Sequence, residues 1–283
     1  MLRISKDITK KQYWSIKPVF SIELHIKDML LLEKIQKFFG VGKIIIRNST
    51  NKFSAIYSVQ SVKEINSVII PHFLNYSLLT QKQINFELFC RALNLINKKE
   101  HLNIEGIKKI VRIRASMNQG LTKDLKEYFP NIIPVKRPLK KNNEIKDPYW
   151  LTGFVDAEGC FYIKPVTIKS KIVRFSLVFF ISQHSKDSLL MNQILDYMKC
   201  GLIEEPISRK ETRYIIYRFS DHINNIIPFF TKYALLSSKR LDFRDFCKVS
   251  YLLKEKNILK EENILKIQLI KSNMNKNRNN FED

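Results

Sequence analysis

Glu158 is the side chain in this sequence whose placement most needs a chemical explanation. It closes the stretch Leu151-Thr152-Gly153-Phe154-Val155-Asp156-Ala157-Glu158-Gly159. Asp147 is a good N-cap, Pro148 suits a first helical position, and Gly159 suits a left-handed C′ residue, so a short helix is predicted over 148–158. A carboxylate on its last turn sits at the negative end of the helix dipole and gains nothing there. Two readings follow: a solvated helix-end charge, or a ligand for a cation. Lys239 in SSKRLDF and Lys82 in TQKQINF stand just before Phe-rich helical patterns. By themselves each reads as an exposed helix-start lysine. Gln183, beside His184 at a strand end, reads either as a strand-end polar group or as one that orients water or phosphate.

The elements that would position these groups can be read from periodicity. At helical spacing Leu151, Phe154 and Val155 form an apolar stripe, while Gly153 and Ala157 lie four apart on another side, where a second backbone can approach. Alternating segments follow from Phe161 and from Val173, with Phe175, Leu177, Phe179 and Ile181 on one face. A helix is predicted near 187–197, strands near 201–205 and 213–219, a helix across 221–232, and further helices to about 274. Off the apolar parity lie Arg3, Lys17, Arg47, Lys164, Arg174 and Arg218. Singly each is a solvated charge; together they make basic strand faces.

Charge narrows the class of partner. The 283 residues carry 49 Lys+Arg against 27 Asp+Glu, a net +22, which calls for a polyanion, nucleic acid before an anionic membrane. No apolar run approaches the ~20 residues of a membrane span, so no membrane partner is expected, and no signal-peptide core follows the first charges. Cys90, Cys160, Cys200 and Cys247 form no C-x-x-C pair and the histidines show no ligand spacing; neither zinc nor a disulfide framework is expected. The heavy use of Lys, Asn, Ile and Phe is what an A+T-rich coding sequence gives, a hint of an organellar genome.

The chain is one unit written twice. Residues 20–44 match 179–203 without a gap, setting His25 on His184. From Ile69 and Ile226 a second match sets Pro71 on Pro228, Lys82 on Lys239, Phe86 on Phe243 and Cys90 on Cys247; later, Met117-Asn118 falls on Met274-Asn275. Matches this long indicate tandem duplication. The first copy spans 1–133 and the second 148–283, with a polar, basic, Pro-containing linker at 134–147. Met1-Leu2-Arg3 aligns with Tyr162-Ile163-Lys164, so the first copy lacks its opening helix. The expectation is of a shortened reading frame with a similar helix upstream. Asp7, between two strands, cannot substitute for a helix-end carboxylate.

With the nine-residue stretch, both copies and the K-x-x-D-F pattern of Lys239 to Phe243, the sequence resembles single-chain LAGLIDADG homing endonucleases. Thr152, Phe154, Val155 and Glu158 depart from the motif within residue class. The resemblance implies an α+β fold: a tandem duplication of an αββαββα unit whose two antiparallel sheets form a DNA-binding saddle, here without the first helix of copy one. It implies a monomeric, mitochondrial, intron-encoded enzyme that cuts both strands of a long asymmetric duplex DNA site. Paired helix-end carboxylates would hold Mg²⁺ (or Mn²⁺) between them, with Glu158 and the Gly159 carbonyl as ligands on this side. Lys239 is then an active-site lysine; Lys82 is its partner, with Asn85 in place of Asp. Two rivals stay open: a maturase that binds its group I intron RNA, and a catalytically dead DNA-binding remnant.

Overall fold

In the computed structural model of the chain, the described residues are 1–9, 13–49, 52–118, 120–141, 144–169, 171–254 and 260–278. They fall into two compact units, Met1–Asn143 and Glu144–Asp283. The division lies inside the expected linker, whose first part belongs to the first unit. There Val135 packs on the core, Ser116 Oγ donates to the Val135 carbonyl at 2.6 Å, and the Lys141 N–H donates to Gln83 at 2.9 Å.

The first unit runs β1 (Leu2–Lys6), β2 (Trp14–Pro18), β3 (Phe20–His25), α1 (Met29–Phe39), β4 (Lys43–Ser49) and β5 (Lys52–Val59). Helices α2 (62–75), α3 (Lys82–Asn97), α4 (Ile104–Ala115) and α5 (Lys123–Tyr128) complete it. The second unit runs α6 (Pro148–Glu158), β6 (Gly159–Ile168), β7 (Lys171–His184), α7 (Ser188–Met198), β8 (Leu202–Glu204) and β9 (Glu211–Ile216). Then come α8 (219–232), α9 (Lys239–Leu252) and α10 (Glu261–Ser272). Its antiparallel sheet has the order β6-β7-β9-β8. Among the described residues no helix is long and apolar enough to cross a membrane.

The duplication holds at the level of atoms. Gly42 and Gly201 have φ of +80° and +88°, and a Cβ on either would lie 2.8 Å from a strand carbonyl, that of Ser58 or of Ile215. Beside them the Tyr57 hydroxyl donates to the Val41 carbonyl at 2.8 Å and the Tyr214 hydroxyl to the Cys200 carbonyl at 3.0 Å. Leu2 is opposite Pro18 as Ile163 is opposite Leu177, which agrees with the alignment of Met1-Leu2-Arg3 on Tyr162-Ile163-Lys164.

Two expectations need correction. Among the described residues the first unit's strands pair as two sheets, β1-β2 and β3-β5-β4, where the second unit has unbroken β7. Pro18, with no N–H to donate, stands where β7 has Leu177. Strand β9 ends at Ile216, short of 219, because a helix begins at Phe219. That helix, α8, contains a π turn at His222–Ile226 just before Pro228, as α2 contains one at Ile65–Ile69 before Pro71. A proline ring crowds the carbonyl four residues back and leaves it unpaired, and the widened turn accommodates both effects.

Aromatic packing fills the second core: Phe161 lies 4.9 Å from Phe179, 5.7 Å from Phe230 and 5.4 Å from Phe246. His222 is fully buried against Phe246, with Nε2 3.0 Å from the Leu177 carbonyl, and burial lowers its pKa to about 4. The unfolded chain therefore takes up this proton first on acidification. Its contribution to stability is complete above about pH 6.5 and falls by about 3 kcal/mol as the pH drops to about 4. His222→Ile installs the repeat partner, Ile65, which is itself buried. It is expected to flatten that slope in urea midpoints measured from pH 4 to 7.

Candidate active site

Helix α6 opens as the sequence demands. The Asp147 carboxylate accepts the Tyr149 N–H at 2.8 Å, and Pro148 takes the first turn. Leu151 and Val155 are buried; Phe154 is only half-buried, stacked on Trp150 at 5.0 Å. Thr152, also buried, has its hydroxyl 3.2 Å from the Tyr233 carbonyl, so a polar group is satisfied where the motif carries alanine. Gly153 and Ala157 are exposed, and a Cβ on Gly153 would meet nothing within 4 Å. At the other end Gly159 corrects the sequence reading: its φ of −78° and ψ of 158° are extended. It is the first residue of β6, opposite Ile181, and a Cβ there would lie 2.6 Å from Val155 Cγ1 and 2.9 Å from the Val155 carbonyl. Glycine is required for closeness, not for a left-handed turn.

The two acids of the stretch have separate fates. Asp156 is tied down: its carboxylate accepts the Leu236 N–H at 2.9 Å, the Ser237 N–H at 3.1 Å and the Ser237 hydroxyl at 2.5 Å. Ser237 Oγ in turn accepts the Lys239 N–H at 3.2 Å. Glu158, two residues on, stands exposed. Lys239 is the first residue of α9, half-buried, and α9 packs on β6 through Phe243, 5.3 Å from Phe161. Its ammonium is near enough to act on Cys160, whose thiol is pushed up by burial and pulled part of the way back by Lys239. Glu158 at a helix C-terminus and Lys239 at a helix N-terminus each occupy the end their own helix disfavours. Lys82 likewise begins α3, exposed, with its N–H on Thr80 Oγ1 at 3.3 Å. Gln183 is half-buried on β7 opposite Thr212, two residues past Ile181, at the end of the sheet where α6 enters.

The strand faces bear out part of the basic pattern. Arg3 and Lys17 are exposed and directly opposite each other, an unfavourable like-charge pair for stability alone. Lys164 is opposite Ser176 and Arg174 opposite Val166, which places both on the exposed face of β6-β7, and Arg47 of β4 lies opposite Ser54. Arg218 does not belong with them. It lies beyond β9 at the start of α8, where its carbonyl accepts the Asp221 N–H at 3.2 Å. The strand face holds Arg213 instead, paired with Glu211 through bonds of 2.8 and 3.1 Å.

Among the described residues no three His, Cys, Asp or Glu side chains cluster as a metal cage. The donors at the helix tip are the Glu158 carboxylate and the neighbouring Gly159 carbonyl, both hard oxygens. That set suits Mg²⁺ or Mn²⁺, ions that keep waters and take the remaining ligands from a phosphate.

A family model described as LAGLIDADG endonuclease matches residues 1–93 and 151–250, both repeats. The chain belongs to the LAGLIDADG endonuclease family. It is 38% identical over 253 residues to probable intron-encoded endonuclease 3 of Neurospora crassa, covering 88% of this chain and 47% of that protein. It is 34% identical over 267 residues to probable intron-encoded endonuclease 2 of the same organism, covering 90% of this chain and 58% of that protein. The chain thus spans about half the length of these curated relatives. Among solved structures, the LAGLIDADG homing endonuclease I-SmaMI bound to cleaved DNA is similar at TM-score 0.92 and 37% identity, covering 98% of this chain and 93% of that one. I-GzeII in complex with a DNA target is similar at TM-score 0.89 and 38% identity, covering 98% and 94%.

In this LAGLIDADG chain the sequence reading passed over Asp156 and Ser237. A signal for them was present: a hydroxyl stands two residues before each repeat lysine, Thr80 before Lys82 and Ser237 before Lys239. Nothing local could tell that a carboxylate some 80 positions earlier would bind one of them.

Proposed function

We propose that this chain is a homing endonuclease that cuts both strands of a long, asymmetric duplex DNA site with Mg²⁺ or Mn²⁺, and that it is encoded in a mitochondrial intron. One observation carries the reading. Of the two acids on the motif helix, Asp156 is fully engaged and Glu158 stands exposed beside the start of a strand. Family membership across both repeats and relatives named as intron-encoded endonucleases support it over the maturase reading. A further relative, 37% identical over 104 residues, is an uncharacterized protein in ND4 intron 1 of Podospora anserina, in keeping with an organellar origin.

In this mechanism Glu158 and the Gly159 carbonyl would hold the cation. When bound, a divalent ion lowers the pKa of a coordinated water and neutralises charge on the leaving 3′ oxygen. Lys239 places an ammonium beside the phosphate, where charge grows as the bond to the leaving oxygen lengthens. Gln183 orients water or phosphate from the strand end, and Lys82 is the first repeat's counterpart of Lys239. Arg3, Lys17, Arg47, Lys164 and Arg174 bind phosphates or guanine edges from the strand faces.

The test uses protein from the full reading frame and duplex DNA spanning the intron-insertion sequence, incubated with Mg²⁺, with Mn²⁺ or with EDTA. Double-strand cutting in the first two alone is expected. Binding to intron RNA with no cutting would replace the reading with the maturase one. The Arg3–Lys17 pair makes a second expectation. Arg3→Ala or Lys17→Ala is expected to leave the urea midpoint unchanged or raise it, because a like-charge pair is relieved. Each is also expected to reduce the slope of log K against log salt by about 0.9 where it meets a phosphate. A lower midpoint with an unchanged salt slope would assign the pair to the fold.

A further inference from the structure

We infer that Asp156 is a positioning residue that sets Lys239 against Glu158, through a latch of backbone and hydroxyl groups at Leu236-Ser237. The inference rests on the nuclease reading for its consequence in catalysis, but the latch itself is a matter of geometry. Asp156 and Glu158 are two residues apart on a helix, so their side chains leave on nearly opposite sides, and one can grip a neighbouring segment while the other faces solvent. The gripped segment is the turn that launches α9. Asp156 takes two successive N–H groups and the Ser237 hydroxyl, and Ser237 passes the restraint to the Lys239 N–H. Ser237 is buried, which shelters its two bonds to Asp156 from water, while the Leu236 N–H bond lies at the surface. Three bonds to one carboxylate fix both the position and the phase of the first turn of α9, and with them the root of the Lys239 side chain. Thr80 repeats the hydroxyl before Lys82.

A misplacement of about 1 Å in a reacting group costs about 10²-fold in rate. Asp156→Asn turns an amide toward N–H donors and is expected to slow single-turnover cleavage by about that factor while DNA affinity stays within about twofold. Ser237→Ala is expected to lose about tenfold, and Ser237→Thr, the first repeat's own choice, to recover it. In a Lys239→Met background, Asp156→Asn is expected to add nothing, since an unlatched methionine is no worse than a latched one. Multiplicative losses in the double variant, or a rate loss that tracks DNA affinity, would overturn the inference. Hydrogen exchange of the Leu236, Ser237 and Lys239 amides gives a readout independent of cutting. In Asp156→Asn these amides should lose protection while the rest of α9 keeps it. If they do not, the latch is wrong; if they do and no form of the protein cuts DNA, the latch stands and the nuclease reading fails.

Discussion

Glu158→Gln is expected to reduce double-strand cleavage by at least about 10³-fold while leaving duplex affinity within about twofold. Glutamine matches the shape of glutamate, and the side chain is exposed, so neither packing nor folding should change. The substitution removes a full negative charge from an oxygen donor set with no other acid to spare, because Asp156 is committed to Leu236 and Ser237. A neutral amide oxygen binds a divalent cation far more weakly than a carboxylate, so raising Mg²⁺ or Mn²⁺ should restore only a small part of the rate. Single-turnover cleavage beside gel-shift affinity, each across a cation titration, separates the two effects. A variant that cuts at the wild-type rate would end the proposed role of the helix tip.

The second large effect concerns stability. Arg278 reaches back to α9 and pairs with two buried acids, through Nε and Nη2 to Asp242 Oδ1 at 3.0 and 2.7 Å and through Nη2 to Asp245 Oδ2 at 2.6 Å. The Asn275 N–H adds a bond to the same Asp242 oxygen at 3.0 Å. Arg278→Met is expected to cost about 3 kcal/mol in urea unfolding, since it leaves the buried Asp242 carboxylate with the Asn275 N–H alone and Asp245 with only the more exposed Lys248 ammonium at 3.0 Å. The first repeat shows an uncharged solution. There the Asn118 N–H donates to Asn85 at 3.2 Å, and Leu88 and Leu121 stand at the positions of Asp245 and Arg278. The exchange Asp242→Asn, Asp245→Leu, Arg278→Leu is accordingly expected to cost less than Arg278→Met alone, because it removes the guanidinium and both carboxylates together and leaves only the more exposed Lys248 ammonium without its partner. The Asp of the K-x-x-D-F pattern is thus an anchor for the C-terminal segment.

What the sequence by itself determined is what short-range physics encodes. Asp147 and Pro148 start α6 because capping and a fixed φ act within one turn. The alternation of Phe175, Leu177, Phe179 and Ile181 marks the core side of β7, and all four are buried. Two copies of one pattern revealed the duplication, and the register of β1 on β2 agrees with the alignment made from letters alone. Only the tertiary structure decided what depends on residues far apart in the chain. Gly159 reads as a helix stop, yet its conformation is set by strand pairing to Ile181 and contact with Val155. Arg218 keeps strand parity, but a helix begins one residue later and takes it off the sheet. Asp156 and Glu158 are both acids on one short helix, and the fold separates them by delivering Leu236 and Ser237 to one and solvent to the other. Caps and periodicities are local, but whether an acid becomes an anchor or a ligand depends on which donors a distant segment brings to it.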